Sequence, residues 1–294
     1  MKSIVLLCVL CGFFLVGCGE KEKPSVDGDD HDVLISFSTN AMPTDVMQNM
    51  VLKSTKSTDE NLISMIILFG LDDKGMVVKA LPISNPTLTG ITITMPIEVK
   101  TLYAVANPTP GIEGALIPTL ANLLNLTGDY TSAPQSPFLL SGKGDIVGSN
   151  ANIRLDRAIV KIEVVSLNEL QIKSVTVKNT PNRIYIFKKE TTTPPSSIRV
   201  IYPANTTNSI VYVAECSKDN PVELEVTGTY LGKTVSNTII LTKGGSPIDA
   251  VRNTCYRVGV SATSEPEWTY TITITDWDEE NADRYVIPSE NFES

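Results

Sequence analysis

Few side chains in this 294-residue sequence have the type and spacing for chemistry. His31 is the only histidine, and it stands in the acidic stretch Asp27 to Asp32. A serine or cysteine nucleophile needs an imidazole or a comparable base beside it inside a fold. Zinc centres gather several Cys or His ligands at set intervals, and the sequence has no such set. Asp72-Asp73-Lys74-Gly75 has the acidic start and the glycine of a calcium loop, but the rest of the twelve-residue pattern is missing. It reads instead as a hairpin turn. No catalytic residue, metal or cofactor is expected, and an enzyme is the weakest of the function classes.

The thiols carry the remaining chemistry. An apolar run from Ile4 to Val16 follows Lys2 and ends in Gly17-Cys18, with Glu20-Lys21-Glu22-Lys23 directly behind. The run is about 13 residues, enough for a signal-peptide core and short of the roughly 20 that span a bilayer. Gly17-Cys18 resembles the bacterial lipobox, in which the cysteine is acylated and becomes the first residue of the mature chain. The rival readings are an ordinary signal peptide with an incidental cysteine, or a buried helix. Acylation of Cys18 would hold the protein on a membrane by about 0.8 kcal/mol per buried methylene. Residues 1–17 are then the signal peptide and 18–32 the lipid-attached tether. Cys8 and Cys11 leave with the leader, so Cys216 and Cys255 are the pair left to the folded protein. An exported chain permits a disulfide between them. It would close a loop of about 40 residues and stabilise by about 4 kcal/mol in the chain-entropy model. Two buried thiols, each acting as a small hydrophobe, are the alternative.

The elements that must position these residues are strands. The net charge is −9, and loss of Lys2 with the leader makes it more negative, which argues against nucleic acid and anionic lipid as partners. Val33, Ile35 and Phe37 alternate with polar residues, the period of a strand with one buried face. Residues 40 to 56, with Pro43 and several methionines, break the pattern as a connection. Further strands are predicted at Ile63–Phe69, Met76–Val78, Ile91–Met95, Leu102–Ala106, Phe138–Leu140, Ile153–Val165, Ile172–Val177, Ile184–Phe187, Ile210–Ala214, Val222–Tyr230, Thr234–Leu241 and Tyr256–Val260. The last, Trp268 to Thr275, places Trp268, Tyr270, Ile272 and Ile274 inward and four threonines outward. Leu116, Leu120, Leu123, Leu124 and Leu126 fall at helical spacing and predict one helix of two to three turns. Short strands at regular intervals with one minor helix predict an all-β chain of two tandem β-sandwiches, 33–152 and 153–277, followed by a tail, 278–294.

Several segments resemble the fimbrillins, the pilus subunits of Bacteroidales. Thr101 to Asn107 is similar to their strand ending in V-x-A-N. Ile153 to Ile162 is similar to the L-x-R-x-x-A-K strand that passes between their two domains, with a slightly different spacing at Val160. Arg252-Asn253-Thr254-Cys255-Tyr256 is similar to R-N-x-x-Y, and Ile272 to Trp277 to the closing strand. The resemblance implies two transthyretin-like Greek-key sandwiches, export as a lipoprotein to a surface-exposed place on the cell outer membrane or in a fimbrium, and assembly with other fimbrial subunits. Assembly would proceed by donor-strand exchange: proteolysis removes the first strand, and the tail of a neighbour fills the groove.

On that scheme the leading strand is Val33, Ile35 and Phe37, lent from one edge of a sheet. Burying its three side chains gains roughly 5–9 kcal/mol at about 1.5–3 kcal/mol each. The candidate donor is Tyr285, Val286 and Ile287, with Phe292 beyond, and a frayed terminus is the competing reading. No arginine precedes Arg154, so Lys53 and Lys56 are the candidate cleavage sites. The alternative function is an uncleaved anchor, or a tip or adhesin lipoprotein binding a host or bacterial surface ligand such as a glycan. For the latter, Tyr103, Tyr130 and Tyr230 are the aromatic platforms to examine; Trp268 is in phase with a buried face, and Trp277 is the only other tryptophan.

Overall fold

The computed structural model describes residues 30–39, 58–112, 115–190, 194–205, 210–263 and 268–276. The first half holds β1 (Asp30–Ser38), β2 (Met65–Leu71), β3 (Val77–Ser84), β4 (Ile91–Pro96), β5 (Thr101–Ala106), β6 (Thr127–Asp129), β7 (Leu140–Val147) and β8 (Asn150–Arg157). Seven of these form one sheet in the order β3-β2-β5-β7-β8-β1-β4. The sheet curls until its two ends approach, and Lys79 on β3 donates to the carbonyl of Thr94 on β4 at 2.6 Å. Curling lets all seven inner faces share one core, with Val33, Ile35, Leu68, Met95, Leu102 and Ile153 among its members.

β2 explains the dense apolar run in the sequence. It is covered on both faces: Ile66 and Leu68 enter the sandwich core, while Ile67, Phe69 and Leu71 enter a second cluster. A strand buried on both sides loses the alternation that marks a half-exposed one. The second cluster lies under α1 (Leu120–Leu124) and draws on both halves of the chain. This helix is shorter than predicted. Thr119 caps it by accepting from the Asn122 amide at 3.2 Å, Leu116 is 93% exposed ahead of it, and Leu126 lies past its end.

The second half comprises β9 (Ile159–Ser166), β10 (Gln171–Pro181), β11 (Arg183–Tyr185), β12 (Arg199–Asn205), β13 (Ile210–Ala214), β14 (Glu223–Tyr230), β15 (Lys233–Ile240), β16 (Thr242–Lys243), β17 (Ser246–Pro247), β18 (Thr254–Ala262) and β19 (Trp268–Asp276). Two four-stranded sheets, β13-β9-β18-β19 and β12-β10-β14-β15, close over a core that includes Val160, Ile162, Val175, Leu224 and Val258. The predicted alternation of β19 holds for its first three apolar residues. Trp268 and Tyr270 are half-buried and Ile272 is buried, whereas Ile274 is exposed at the end of this edge strand.

The chain changes sandwich at Ala158, whose amide bonds the Leu139 carbonyl at 2.9 Å. The border expected between 152 and 153 therefore falls inside β8. The predicted strand Ile153–Val165 is two strands in two sheets, because β8 pairs with β1 and β7 while β9 pairs with β13 and β18. β8 runs from the outer pole of the first sandwich to this waist, and β9 leads from the waist to the far pole of the second.

β7 was not among the predicted strands beyond Leu140, since Gly142, Lys143, Gly144 and Asp145 have little strand preference. Its glycines are there for close approach: a Cβ on Gly142 would lie 1.9 Å from the Arg154 carbonyl oxygen. Gly142→Ala should push β7 off β8 and lower stability by about 1–3 kcal/mol, the range for overpacking, readable as a drop in urea midpoint. An unchanged midpoint would show that the ladder accommodates the methyl group.

Candidate assembly site and interdomain joint

β1 lies inside the sheet. It pairs antiparallel with β4, from Asp30 opposite Pro96 to Ile35 opposite Ile91. On its other side it pairs parallel with β8, from Leu34 opposite Asn150 to Ser38 opposite Arg154. Val33, Ile35 and Phe37 are buried, as their spacing predicts. Two expectations need correction. The tether does not extend to residue 32, because Asp30, His31 and Asp32 already belong to β1. Nor is the strand an edge. With neighbours on both sides, its departure would empty a slot between β8 and β4 and leave β4 without its β1 ladder.

The parallel pairing fixes the direction. β1 starts at the outer pole and ends at the waist, since Ser38 faces Arg154 near the end of β8. Cys18, the candidate cleavage residues Lys53 and Lys56, and the candidate donor residues Tyr285, Val286, Ile287 and Phe292 lie outside the described residues, as does Trp277. The described chain resumes at the waist with a 3-10 turn, Thr58–Asn61.

That turn enters a buried polar joint. Lys161 Nζ sits 3.0 Å from Glu60 Oε1 and 3.2 Å from Oε2, and the Tyr212 hydroxyl donates to Oε1 at 2.5 Å. Glu60 and Lys161 are both buried. Burial by itself would lower the Lys161 pKa, but the hydrogen bond and charge of Glu60 outweigh it and hold the ammonium above its ordinary value. Burial, reinforced by the hydrogen bond to Glu60, pushes the Tyr212 phenol up. Arg157 is fully buried and bonds Asn61 and, through Nη1, Asn253 at 3.4 Å, while its amide donates to Asn253 Oδ1 at 3.1 Å.

A second ion pair lies nearby. Arg252 Nε meets Glu215 Oε2 at 3.0 Å, and its other nitrogens donate to the carbonyls of Ile186 at 2.9 Å and Tyr185 at 2.7 Å. Tyr185 ends β11, which pairs across the halves with β6, and Arg183 on β11 binds Asp129 on β6. Main-chain pairing, the buried Glu60–Lys161 ion pair and a shared apolar cluster thus join the two sandwiches.

The residues singled out by resemblance converge on such joints. Arg157, Lys161, Arg252 and Asn253 meet at the waist. Asn107, from V-x-A-N, takes a left-handed φ of 49°. Its amide donates to the carbonyls of Leu62 and Phe138, each at 2.8 Å, and accepts from the Ser64 amide at 2.9 Å. Glu60 had no signal in the sequence; its partner Lys161 is 101 positions away.

Cys216 and Cys255 are buried and not joined by a disulfide, the second of the two alternatives read from the sequence. Cys216 packs in the second core, where burial raises its pKa. Cys255 stands on β18 between Lys161 and Thr275. Tyr103 is not an exposed platform. It is buried and meets Phe187 edge-on with ring centroids 5.4 Å apart. Tyr130 and Tyr230 are half-buried against apolar clusters. Among the described residues no group of three or more His, Cys, Asp and Glu could hold a metal, and no helix is long and apolar enough to cross a membrane.

No family model matches the sequence, and no curated protein matches it. Solved structures do. A fimbrial assembly protein from Parabacteroides distasonis superposes with a TM-score of 0.59 at 14% identity, over 84% of this chain and 98% of that one. The tip fimbrial protein Mfa3 of Porphyromonas gingivalis, with a C-terminal truncation, gives 0.59 at 13% identity, over 84% and 100%. A fimbrilin, FimA, from Porphyromonas gingivalis W83 gives 0.54 at 12%, over 84% and 96%. The all-β fold of this chain is therefore the one found in Bacteroidales fimbrial proteins, across most of its length.

Proposed function

We propose that this chain is a structural subunit of a cell-surface fimbria, exported as a lipoprotein on Cys18 and assembled by strand exchange after β1 is removed. The observation that carries the reading is β1 itself: a complete interior strand, buried on one face and paired on both sides, that is linked to the rest of the sandwich only through residues 40–57. A cut at Lys53 or Lys56 severs that link and leaves every described strand from β2 onward intact. A slot bounded by two ladders and floored with apolar side chains takes an extended segment through main-chain hydrogen bonds, with alternate side chains giving selectivity. The fold shared with fimbrial proteins supports the same reading. Tyr285 and Ile287 are spaced to face the slot floor as Val33 and Ile35 do, with Val286 outward and Phe292 as a second apolar contact. Left uncut, the chain would keep its lipid and β1, and it would serve as an anchor.

Mild trypsin treatment of the purified precursor should trim it near Lys53 or Lys56 and yield SDS-resistant ladders. Unchanged monomer after complete trimming would count against a polymerising role. Removing Asp283 to Ser294 should leave folding intact and abolish donation to a neighbour; normal fibres from that truncation would rule the tail out as the donor. N-terminal sequencing of the surface-extracted protein separates subunit from anchor: a start near residue 50 supports the first, a start at Cys18 the second.

A further inference from the structure

We infer that Glu60 is a latch that fixes the start of the trimmed chain to the second sandwich, so that loss of β1 opens the first sandwich without freeing it at the waist. The inference rests on the removal of β1 proposed above for its purpose, though not for its geometry. Glu60 is the first acidic side chain downstream of both candidate cuts apart from its neighbour Asp59, and it lies four residues beyond Lys56. One carboxylate there serves two partners on two strands of the other sandwich. Lys161 of β9 approaches both oxygens, Tyr212 of β13 donates to one of them, and Asn61 and the Glu60 carbonyl meet Arg157 at the crossing.

The position of the latch gives it a purpose. In the precursor the segment before β2 is held at both ends, by β1 on one side and by the joint on the other. After a cut at Lys53 or Lys56, the new amino end lies a few residues before Thr58, and the joint alone restrains it. Without a restraint, Leu62 to Ser64 would peel away, and with them the Asn107 contacts that accept the Ser64 amide and bind the Leu62 carbonyl. β2 is the next strand along, and it floors the slot through Ile66 and Leu68. A latch at Glu60 therefore keeps the floor in place while the slot is empty.

The test is amide hydrogen exchange, followed by mass spectrometry, over residues 58–71 and over β6 and β11. It uses the full chain as wild type, Glu60→Gln, Tyr212→Phe and the double variant Glu60→Leu/Lys161→Met. In Glu60→Gln, exchange over 58–64 should accelerate about ten- to a hundredfold, the range for losing a hydrogen bond to a charged group. The gain should be larger after nicking with trypsin than before. Tyr212→Phe, which leaves no buried charge unpaired, should give a smaller acceleration of the same segment and keeps the test available should Glu60→Gln fail to fold. The double variant, with an apolar pair in place of the ion pair, should return exchange most of the way to wild type. Wild-type exchange in both single variants would overturn the latch. So would an acceleration spread evenly over the molecule, or a double variant no better than Glu60→Gln. Failure of trypsin to nick the chain would refute the cleavage reading and leave the precursor comparison standing.

Discussion

A chain that starts at Thr58 will expose its first core to solvent, and a synthetic peptide spanning residues 30–39 added in trans will close it again. Three buried side chains leave with β1, at roughly 5–9 kcal/mol for Val33, Ile35 and Phe37 together. That loss is comparable to the whole stability of an ordinary domain, about 5–15 kcal/mol. The main-chain contribution adds to it, because both neighbours, β4 and β8, lose their ladders at once. Binding of a hydrophobic dye reports the open state. The native peptide should suppress dye binding, and the same peptide carrying Ile35→Asp should not, since Ile35 sits at 0% exposure in the middle of the strand. A shortened chain that melts like the precursor and ignores the peptide would show that β1 is dispensable.

Arg252→Ala should cost about 3–5 kcal/mol, the loss expected when one member of a buried ion pair is removed. The substitution strands the Glu215 carboxylate and takes a donor from the carbonyls of Tyr185 and Ile186, of which the second keeps the Ser141 hydroxyl at 2.6 Å. Those carbonyls belong to the segment that fastens β11 to β6, so both halves feel the change. Arg252→Lys should recover little, because one ammonium cannot reach three acceptors that a planar guanidinium spans. Urea unfolding monitored by tyrosine and tryptophan fluorescence measures the difference. A loss below about 1 kcal/mol would place the pair among those that contribute no more than surface ion pairs do.

The parts of the fold that could be read from the sequence are those where one face is wet. β1, β4 and β19 alternate because each has a polar side, and the predicted inward residues are the buried or half-buried ones, Ile274 excepted. β7 was illegible because it is built around clearance: Gly142 and Gly144 make room for backbone, and no apolar pattern records that need. β12 has little signal in the sequence because it follows the Thr-, Pro- and Ser-rich run from Thr191 to Ser197 and pairs with β10 through register shifts. Ile153–Val165 reads as one strand because apolar residues recur along it with no turn residue between, although the inward set shifts from Ile153 and Leu155 to Val160, Ile162 and Val164 and the hydrogen-bond partners change completely. The helix was overdrawn since Leu116 and Leu126 share its spacing without sharing its backbone.

For the candidate site, the buried face of β1 was legible and its interior position was not. Pairing depends on β4 and β8, distant in sequence, whose register no local pattern encodes. The joint was half legible. Its arginines and Asn253 stood in segments noted for resemblance, but their carboxylate partners did not. Glu60 and Glu215 look like ordinary surface acids until the waist folds around them. Arg157, Lys161 and Arg252, which stand in the segments noted for resemblance, are buried charges whose partners come from turns and loops elsewhere in the chain.

β1 runs alongside β8 in the same sense and against β4, so the vacancy it would leave has a built-in polarity. A replacement segment that keeps both ladders must begin at the outer pole and finish at the waist; one laid the other way would have to turn the parallel ladder with β8 antiparallel and the antiparallel ladder with β4 parallel. Copies joined in the first manner all point in one direction, and the two ends of such a string are chemically different. One presents an unfilled cleft and the other an unused tail, so addition and termination become separate events that separate partners can control.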